Sequence, residues 1–343
     1  MKKNLITGLI TILIFFSSAN AQFDRSTSKV GTTAAPFLKI GAGARALSMG
    51  GAYTALSNDI YAVYYNPAGL ANTLENGQVT FNHAEWLADI NYDFAAASLN
   101  VPGLGVVFLS LTSLSIPEEK VRTFENPNGD GRVWDASSLS IGLGYAKQLT
   151  ENFGIGFQAK YIREGIWNVS ASGFAFDVGT YYITPFNDLV IGASITNFGT
   201  KMQLDGRDIL FNHDPDGNLD TGPNNIPAKY DMGSFDMPLM FRLGLAMDLI
   251  RSRYIRVTGA VDATHPNDNT EYVNSGLEIA YDEMFFVRAG YKSLFLRDSE
   301  QGLTLGAGLN YRFADNLLVF VNYAWADYGR LKNVQFIDVG LKF

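Results

Sequence analysis

The chain of 343 residues contains no cysteine. That excludes a disulfide framework, a thiolate metal site, a catalytic thiol and an acylated N-terminal cysteine. Histidine is nearly absent too, with three in all. His83, His213 and His265 fall in or near predicted loops. None has a convincing serine and acid partner, so the chain does not read as an enzyme. Positive charge is in deficit, with 26 Lys and Arg against 34 Asp and Glu. Such a chain lacks the basic stripe that nucleic-acid binding requires. Long apolar runs are missing beyond the first residues, which excludes a bundle of membrane-spanning helices of about 20 apolar residues each. No strand–GxGxxG–helix context occurs, so no nucleotide site is inferred.

What is present looks contradictory at first. The chain is 47% hydrophobic and carries 24 Phe, 17 Tyr, 4 Trp and 34 Gly. That abundance of aromatics excludes disorder. Yet the mean hydropathy is close to zero, because the apolar residues are diluted one by one with Gly, Ser, Asn and charges.

The N-terminus reads as an address. Met1-Lys2-Lys3 is a positive n-region, Leu5 to Phe16 an apolar h-region, and Ser18-Ala19-Asn20-Ala21 a small-residue cleavage site. This predicts a secretory signal peptide over 1–21, cleaved near Ala21 to leave Gln22 at the mature start. Loss of Lys2 and Lys3 makes the formal charge of −8 more negative by two.

The main signal is a period of two. Leu303, Leu305, Ala307, Leu309, Tyr311 and Phe313 share one face, and Gly302, Thr304, Gly306, Gly308, Asn310 and Arg312 the other. Similar alternation runs through Phe241–Met247, Phe285–Tyr291, Val273–Tyr281 and Leu139–Tyr145. Each is a strand with one apolar and one polar face. The register near 91–115 is less clean. A soluble sandwich also buries one strand face, but three features favour a membrane barrel. The strands run about ten residues, the length a tilted membrane strand needs. Aromatics often begin or end the apolar rows, as with Phe153 and Tyr161, Phe174 and Tyr182, or Tyr323 and Trp325, which resembles interfacial girdles. The connections also alternate in length.

The spacing predicts fourteen strands, at roughly 77–85, 91–101, 103–115, 137–147, 152–163, 173–184, 187–198, 237–248, 253–263, 272–282, 284–295, 302–313, 316–325 and 333–343. Every second connection is tight: Pro102-Gly103, Thr150-Glu151, Pro185-Phe186, Arg251-Ser252, Glu283 and Ala314-Asp315. The others are longer and polar, with extremes at 116–136 and 199–236. Short periplasmic turns and long extracellular loops are the asymmetry of outer-membrane barrels. The expected fold is an all-β, 14-stranded antiparallel transmembrane β-barrel over 77–343, its last strand closing on its first.

A barrel this wide cannot be filled by its own side chains. Residues 22–76 do not read as strand. They are rich in small residues, from Gly41 through Ala55, with turn signals at Asn58-Asp59 and Asn66-Pro67. They are expected to form a plug of short helices inside the barrel.

The run GARALSMGGAYTALSNDIYAVYYNPAGL resembles the hatch signature of FadL-like outer-membrane proteins, most closely their PorV/PorQ branch. The match rests on Gly43, Arg45, Gly50, Gly51, Asn66, Pro67, Ala68 and Gly69, and the terminal Phe343 resembles the signal read by the barrel-insertion machinery. The PorV/PorQ resemblance implies a type IX secretion system component that receives or shuttles cargo at the cell surface. Its partners would be outer-membrane lipid, secreted proteins with a C-terminal secretion domain and other type IX components. The FadL resemblance implies instead a channel for long-chain fatty acids or other hydrophobic small molecules.

The polar strand faces carry Lys160, Asp177, Arg242, Asp248, Glu278, Asp282, Arg288, Lys292, Arg312, Asp338 and Lys342. At membrane height these are expected to face the lumen, since an Arg or Lys facing lipid at midplane costs about 2–4 kcal/mol. Mixed signs without a single-sign ring suit a network that pins the hatch to the wall. Asp214, Asp216, Asn218 and Asp220 resemble a calcium loop, with Asn126–Gly131 a weaker echo. Both lack the position-12 glutamate, and ordinary turns use the same residues. No other cofactor is implied. Proteolysis of intact cells is expected to nick 199–236 and spare the short turns; cleavage only after lysis would overturn this topology.

Overall fold

The computed structural model describes residues 29–56, 58–215 and 225–343. The predicted signal peptide and cleavage site lie outside the described residues. Fourteen long strands form the wall: β1 (Gly77–Glu85), β2 (Asn91–Val101), β3 (Gly105–Lys120), β4 (Val133–Thr150), β5 (Phe153–Ile166), β6 (Val169–Ile183), β7 (Val190–Gly199), β8 (Met240–Arg251), β9 (Ile255–Pro266), β10 (Tyr272–Tyr281), β11 (Phe285–Leu294), β12 (Leu303–Ala314), β13 (Leu317–Asp327) and β14 (Asn333–Lys342). All neighbours are antiparallel, and β1 pairs with β14 to close the ring. The seam keeps a regular ladder from Gln78↔Lys342 to Glu85↔Gln335. Closure leaves no strand edge in lipid, where unpaired backbone groups would cost several kcal/mol each.

The alternation has the expected sense. On β12, Leu303, Leu305, Leu309 and Tyr311 point outward, while Thr304 is buried inside. On β11, Val287 is 64% exposed and Arg288 2%. The apolar faces are therefore exposed to what surrounds the barrel, as a lipid-facing wall requires.

Two expectations need correction at the outer end. The stretch 164–172 was expected as a long loop, yet β5 and β6 continue to a two-residue turn, Trp167-Asn168. Likewise β3 and β4 extend well into the predicted loop 116–136, leaving 121–132 as the connection. The physical reason is shared. A strand that leaves the lipid becomes polar while its ladder continues, so loss of apolar alternation marks the membrane boundary and not the strand end. Alternation of loop length is thereby less strict than the sequence suggested. The connection 184–189 adds a longer member to the short set.

The described parts of the connection from β7 to β8 carry short ladders. Met202–Gln203 pairs with Ser234–Phe235, and Leu210–His213 pairs with Ile226–Lys229. Asp205–Gly206 adds to the edge of β6. Met202 and Met237 are buried beneath it, and Thr33 at the start of the hatch bridges to Asp236.

The interior is a packed core. Short helices at Ala44–Ser48 and Ala62–Tyr65, with 3₁₀ turns at Pro36–Lys39 and Pro67–Asn72, run through the barrel. Tyr53, Tyr61, Leu47, Ile60 and Leu70 are fully buried there, against inward-facing Tyr92, Phe94, Phe108 and Phe336. This explains the unclear register near 91–115. The inner face of β2 packs on the hatch and is itself aromatic, so both faces of that strand carry apolar residues.

The ring closure predicts a specific crosslink. Phe81 and Val339 are directly opposed across the seam, within the Cα separation of about 5.5 Å that a disulfide accepts. Phe81→Cys with Val339→Cys should form one on mild oxidation, visible as a mobility shift of the denatured chain. Failure to crosslink in the folded protein would contradict the β1–β14 seam.

Candidate functional site

The hatch is held by backbone approach and by buried charge. Gly50 sits at φ 67, in the left-handed region that costs other residues about 1–2 kcal/mol. A Cβ there would also lie 2.7 Å from the backbone oxygens of Ser275 and Tyr291. The wall answers with its own glycines. A Cβ on Gly276 or Gly290 would strike the Met49–Gly50 backbone, one on Gly156 the Pro67–Ala68 backbone, and one on Gly179 the Asn66 side chain. Small residues on both surfaces let two backbones touch.

Asn66 organises the second half of the hatch. As N-cap of the 3₁₀ turn, its Oδ1 accepts from the Ala68 amide at 3.2 Å. Its Nδ2 donates to the Thr54 carbonyl at 2.9 Å and the Thr180 carbonyl of β6 at 3.0 Å. One amide side chain thus joins two hatch segments to the wall. Pro67 supplies the fixed φ that opens the turn, and the Gly69 amide closes it on the Asn66 carbonyl at 2.9 Å.

Arg45 is the central charge. Its Nε and Nη2 donate to both oxygens of Glu278 on β10, at 2.9 and 3.0 Å, and its Nη1 donates to Asp59 at 2.9 Å. The Tyr53 hydroxyl donates to the same Asp59 oxygen at 2.6 Å. Glu278 is 1% exposed and also accepts from Arg288 of β11 at 2.6 Å and Arg256 of β9 at 3.1 Å. The planar guanidinium fork suits such shared carboxylates. A chain continues from Arg288 Nη1 to Asn322 at 2.8 Å, from Asn322 Nδ2 to Asp338 at 2.8 Å, and back to the hatch through the Ala44 amide, which donates to Asp338 at 2.7 Å. A second clamp lies on β9, where Asp262 accepts the amides of Tyr53 and Thr54 at 2.9 and 2.8 Å.

The remaining sequence-selected charges divide. Asp177 is buried, pairs with Lys160 at 2.8 Å and accepts the Asn197 amide at 2.7 Å, where the β6–β7 ladder skips register. Arg242 donates to Thr196 at 3.0 Å and lies over the Tyr65 ring. Lys292 donates to the Ile40 carbonyl at 3.3 Å. Asp248 accepts from Thr258 at 2.6 Å near the inner rim, and Lys342 pairs with Glu75 at 3.2 Å. Asp282 and Arg312 are exposed, Asp282 in the short turn after β10 and Arg312 near the end of β12. The period-two face does not reveal that β10 and β12 end there, so these two do not belong to the lumen set. Asp214 is exposed, whereas Asp216, Asn218 and Asp220 lie outside the described residues.

Arg256 and Asp262 were missed, although both share the inner face of β9 with Thr258, Ala260 and Thr264. Following that face two residues at a time would have found them.

The network leaves little room. One interior cavity, beside Lys160, Asp177 and Arg242, measures about 20 Å³. Another, at the short-turn end beside Arg45, Arg256 and Lys342, measures about 210 Å³.

The family described as type IX secretion system protein PorV matches residues 23–266. A search of curated protein sequences gave no match. Among solved structures, the Pseudomonas putida toluene transporter TodX is similar with a TM-score of 0.54 and 14% identity, covering 88% of this chain and 97% of that one. The Ralstonia pickettii toluene transporter TbuX gives 0.54 and 13%, covering 88% and 97%. A Pseudomonas aeruginosa FadL homologue gives 0.51 and 13%, covering 88% and 96%. At such identities the likeness is one of fold.

Removing the shared carboxylate should loosen the whole arrangement. Glu278→Gln keeps the volume but leaves Arg45, Arg256 and Arg288 without their common anion, a cost of about 3–5 kcal/mol. The temperature at which the folded band converts on a semi-native gel should drop clearly. An unchanged transition would show that the cluster does not hold the hatch.

Proposed function

The chain belongs to the PorV family of type IX secretion system proteins, and we propose that it receives or shuttles secreted cargo proteins at the outer surface of the outer membrane. The family match over residues 23–266 is the observation that carries this reading. The barrel fold and the family together support an outer-membrane location. Export after cleavage near Ala21 belongs to the same proposal. The partners would be outer-membrane lipid, cargo with a C-terminal secretion domain and other components of the secretion system.

Two features support binding over conduction. First, the interior cavities of about 20 and 210 Å³ fall below the roughly 300–1,000 Å³ of pockets that enclose a small molecule. The hatch meets the wall backbone to backbone at Gly50, Gly276 and Gly290. Second, the short hairpin Leu210–His213 with Ile226–Lys229 presents aromatics to solvent. Phe211 and Tyr230 stack with centroids 4.6 Å apart, and His213 lies edge-on to Phe211 at 6.5 Å. Rigid aromatic groups of this kind are enriched at protein interfaces. The role is one of recognition and requires no catalytic step.

Deletion of the gene, followed by a surface proteome, tests the proposal. Proteins with type IX C-terminal domains should leave the surface and accumulate behind the outer membrane. Complementation with Phe211→Ala and Tyr230→Ala together should restore a folded barrel but only part of the export. Normal surface display, with reduced uptake of long-chain hydrophobic compounds, would replace this reading with that of a conduit.

A further inference from the structure

The outward wall of β4, β5 and β6 holds a cavity of about 510 Å³ that the hatch network does not explain. Its surroundings can be read from the ladders. Ile141, Tyr161 and Phe174 form one outward row, with the two aromatic rings 5.4 Å apart. The row above it pairs Leu139, Arg163 and Ser172. The outward Arg163 and Ser172, one step above the Tyr161–Phe174 pair, mark the level of lipid headgroups.

The cavity lies at and just above that row. Its floor is made of small residues. Gly165 stands between Ser137 and Ser170 in the ladder, and nothing lies closer than 3.8 Å to where its Cβ would be. Arg163 lines one side and Asp135 the other. Neither forms an ion pair among the described residues. The neighbouring Arg132, by contrast, is held by Asp130, its Nε donating at 2.9 Å. Above the floor stands Trp167, 43% exposed, with Arg132 over its ring at 5.6 Å. Trp167 adopts φ 51 in the two-residue turn, a position that glycine or asparagine fills without strain. The turn is pinned by Asn168, whose Nδ2 donates to Asp208 at 2.9 Å.

A free guanidinium, a free carboxylate, an amide and an indole around a shallow floor are groups that bind a phosphorylated sugar. The guanidinium forks onto phosphate oxygens, the carboxylate and amide accept and donate to hydroxyls, and the indole supplies a flat apolar edge. The lipid-facing row below would take acyl chains. We infer that this cavity binds the phosphosugar headgroup of an outer-leaflet glycolipid, with Arg163 as the phosphate ligand. The inference rests on the outer-membrane placement of the wall with the Trp167 turn outward, and is independent of the secretion role.

Native mass spectrometry of the full-length protein in detergent, with monophosphoryl lipid A added, tests it. One lipid should bind per barrel. Arg163→Gln should weaken binding about tenfold, the loss expected for one charge-assisted contact. Arg297→Gln, which removes another exposed charge, on the connection between β11 and β12, should leave it unchanged. The same lipid after phosphatase treatment should bind as weakly to the native protein as the phosphorylated one does to Arg163→Gln. Equal losses in the two arginine variants, or no preference for the phosphorylated lipid, would overturn the inference. Displacement of the lipid by an equal concentration of inorganic phosphate would overturn it as well, because the site would then be one for free phosphate. Heat-shifted mobility on a semi-native gel confirms that each variant is folded.

Discussion

Everything in this molecule follows from one constraint: backbone polar groups in lipid have no water to turn to. An open sheet would leave two edges unpaired, so the fourteen strands close through the β1–β14 seam. Closure at that strand number creates an interior too wide for wall side chains to fill. The N-terminal segment fills it, and its own backbone must then be satisfied inside a protein shell. Asn66, Asp262, Asp338 and Thr304 do this by reaching from the wall or the hatch to main-chain groups across the gap.

The filling also inverts the usual arrangement of charge. The apolar side chains that a soluble protein would bury face outward, and a buried cluster of Arg45, Arg256, Arg288 and Glu278 lies within. Buried ion pairs are costly to assemble, yet removing one partner strands the others. Such a cluster is a poor source of net stability but a strong determinant of position. It fixes where Arg45 sits, and therefore where the helix Ala44–Ser48 lies against β12 and β13. The small-residue contacts at Gly50, Gly276 and Gly290 then follow from that placement.

Legibility in the sequence tracked the environment of each strand. On β12 a lipid face and a close-packed glycine face gave a clean period of two. On β2 the hatch turned the inner face aromatic, with Tyr92 and Phe94, while Asp93 faced outward, and the pattern blurred. Beyond Arg163 the ladder continued into polar residues that resembled a loop. The hatch motif pointed to Arg45 and Asn66, but their partners lie 233 and 114 residues away in the chain. No local pattern carries such pairings. The β9 inner face did hold a usable signal for Arg256 and Asp262, because both keep the period-two register.

By itself the sequence determined the barrel, its approximate strand count, the identity of the lipid face and the presence of a hatch. These depend on periodicity and composition, which are local and repeat many times along the chain. Only the tertiary structure decided which charges share a carboxylate, that the hatch meets the wall backbone to backbone, and that Arg163 and Trp167 border one outward cavity. Those features arise from ladder register and from the docking of the hatch. Both join residues far apart in sequence, and register fixes neighbours only after the ring has closed.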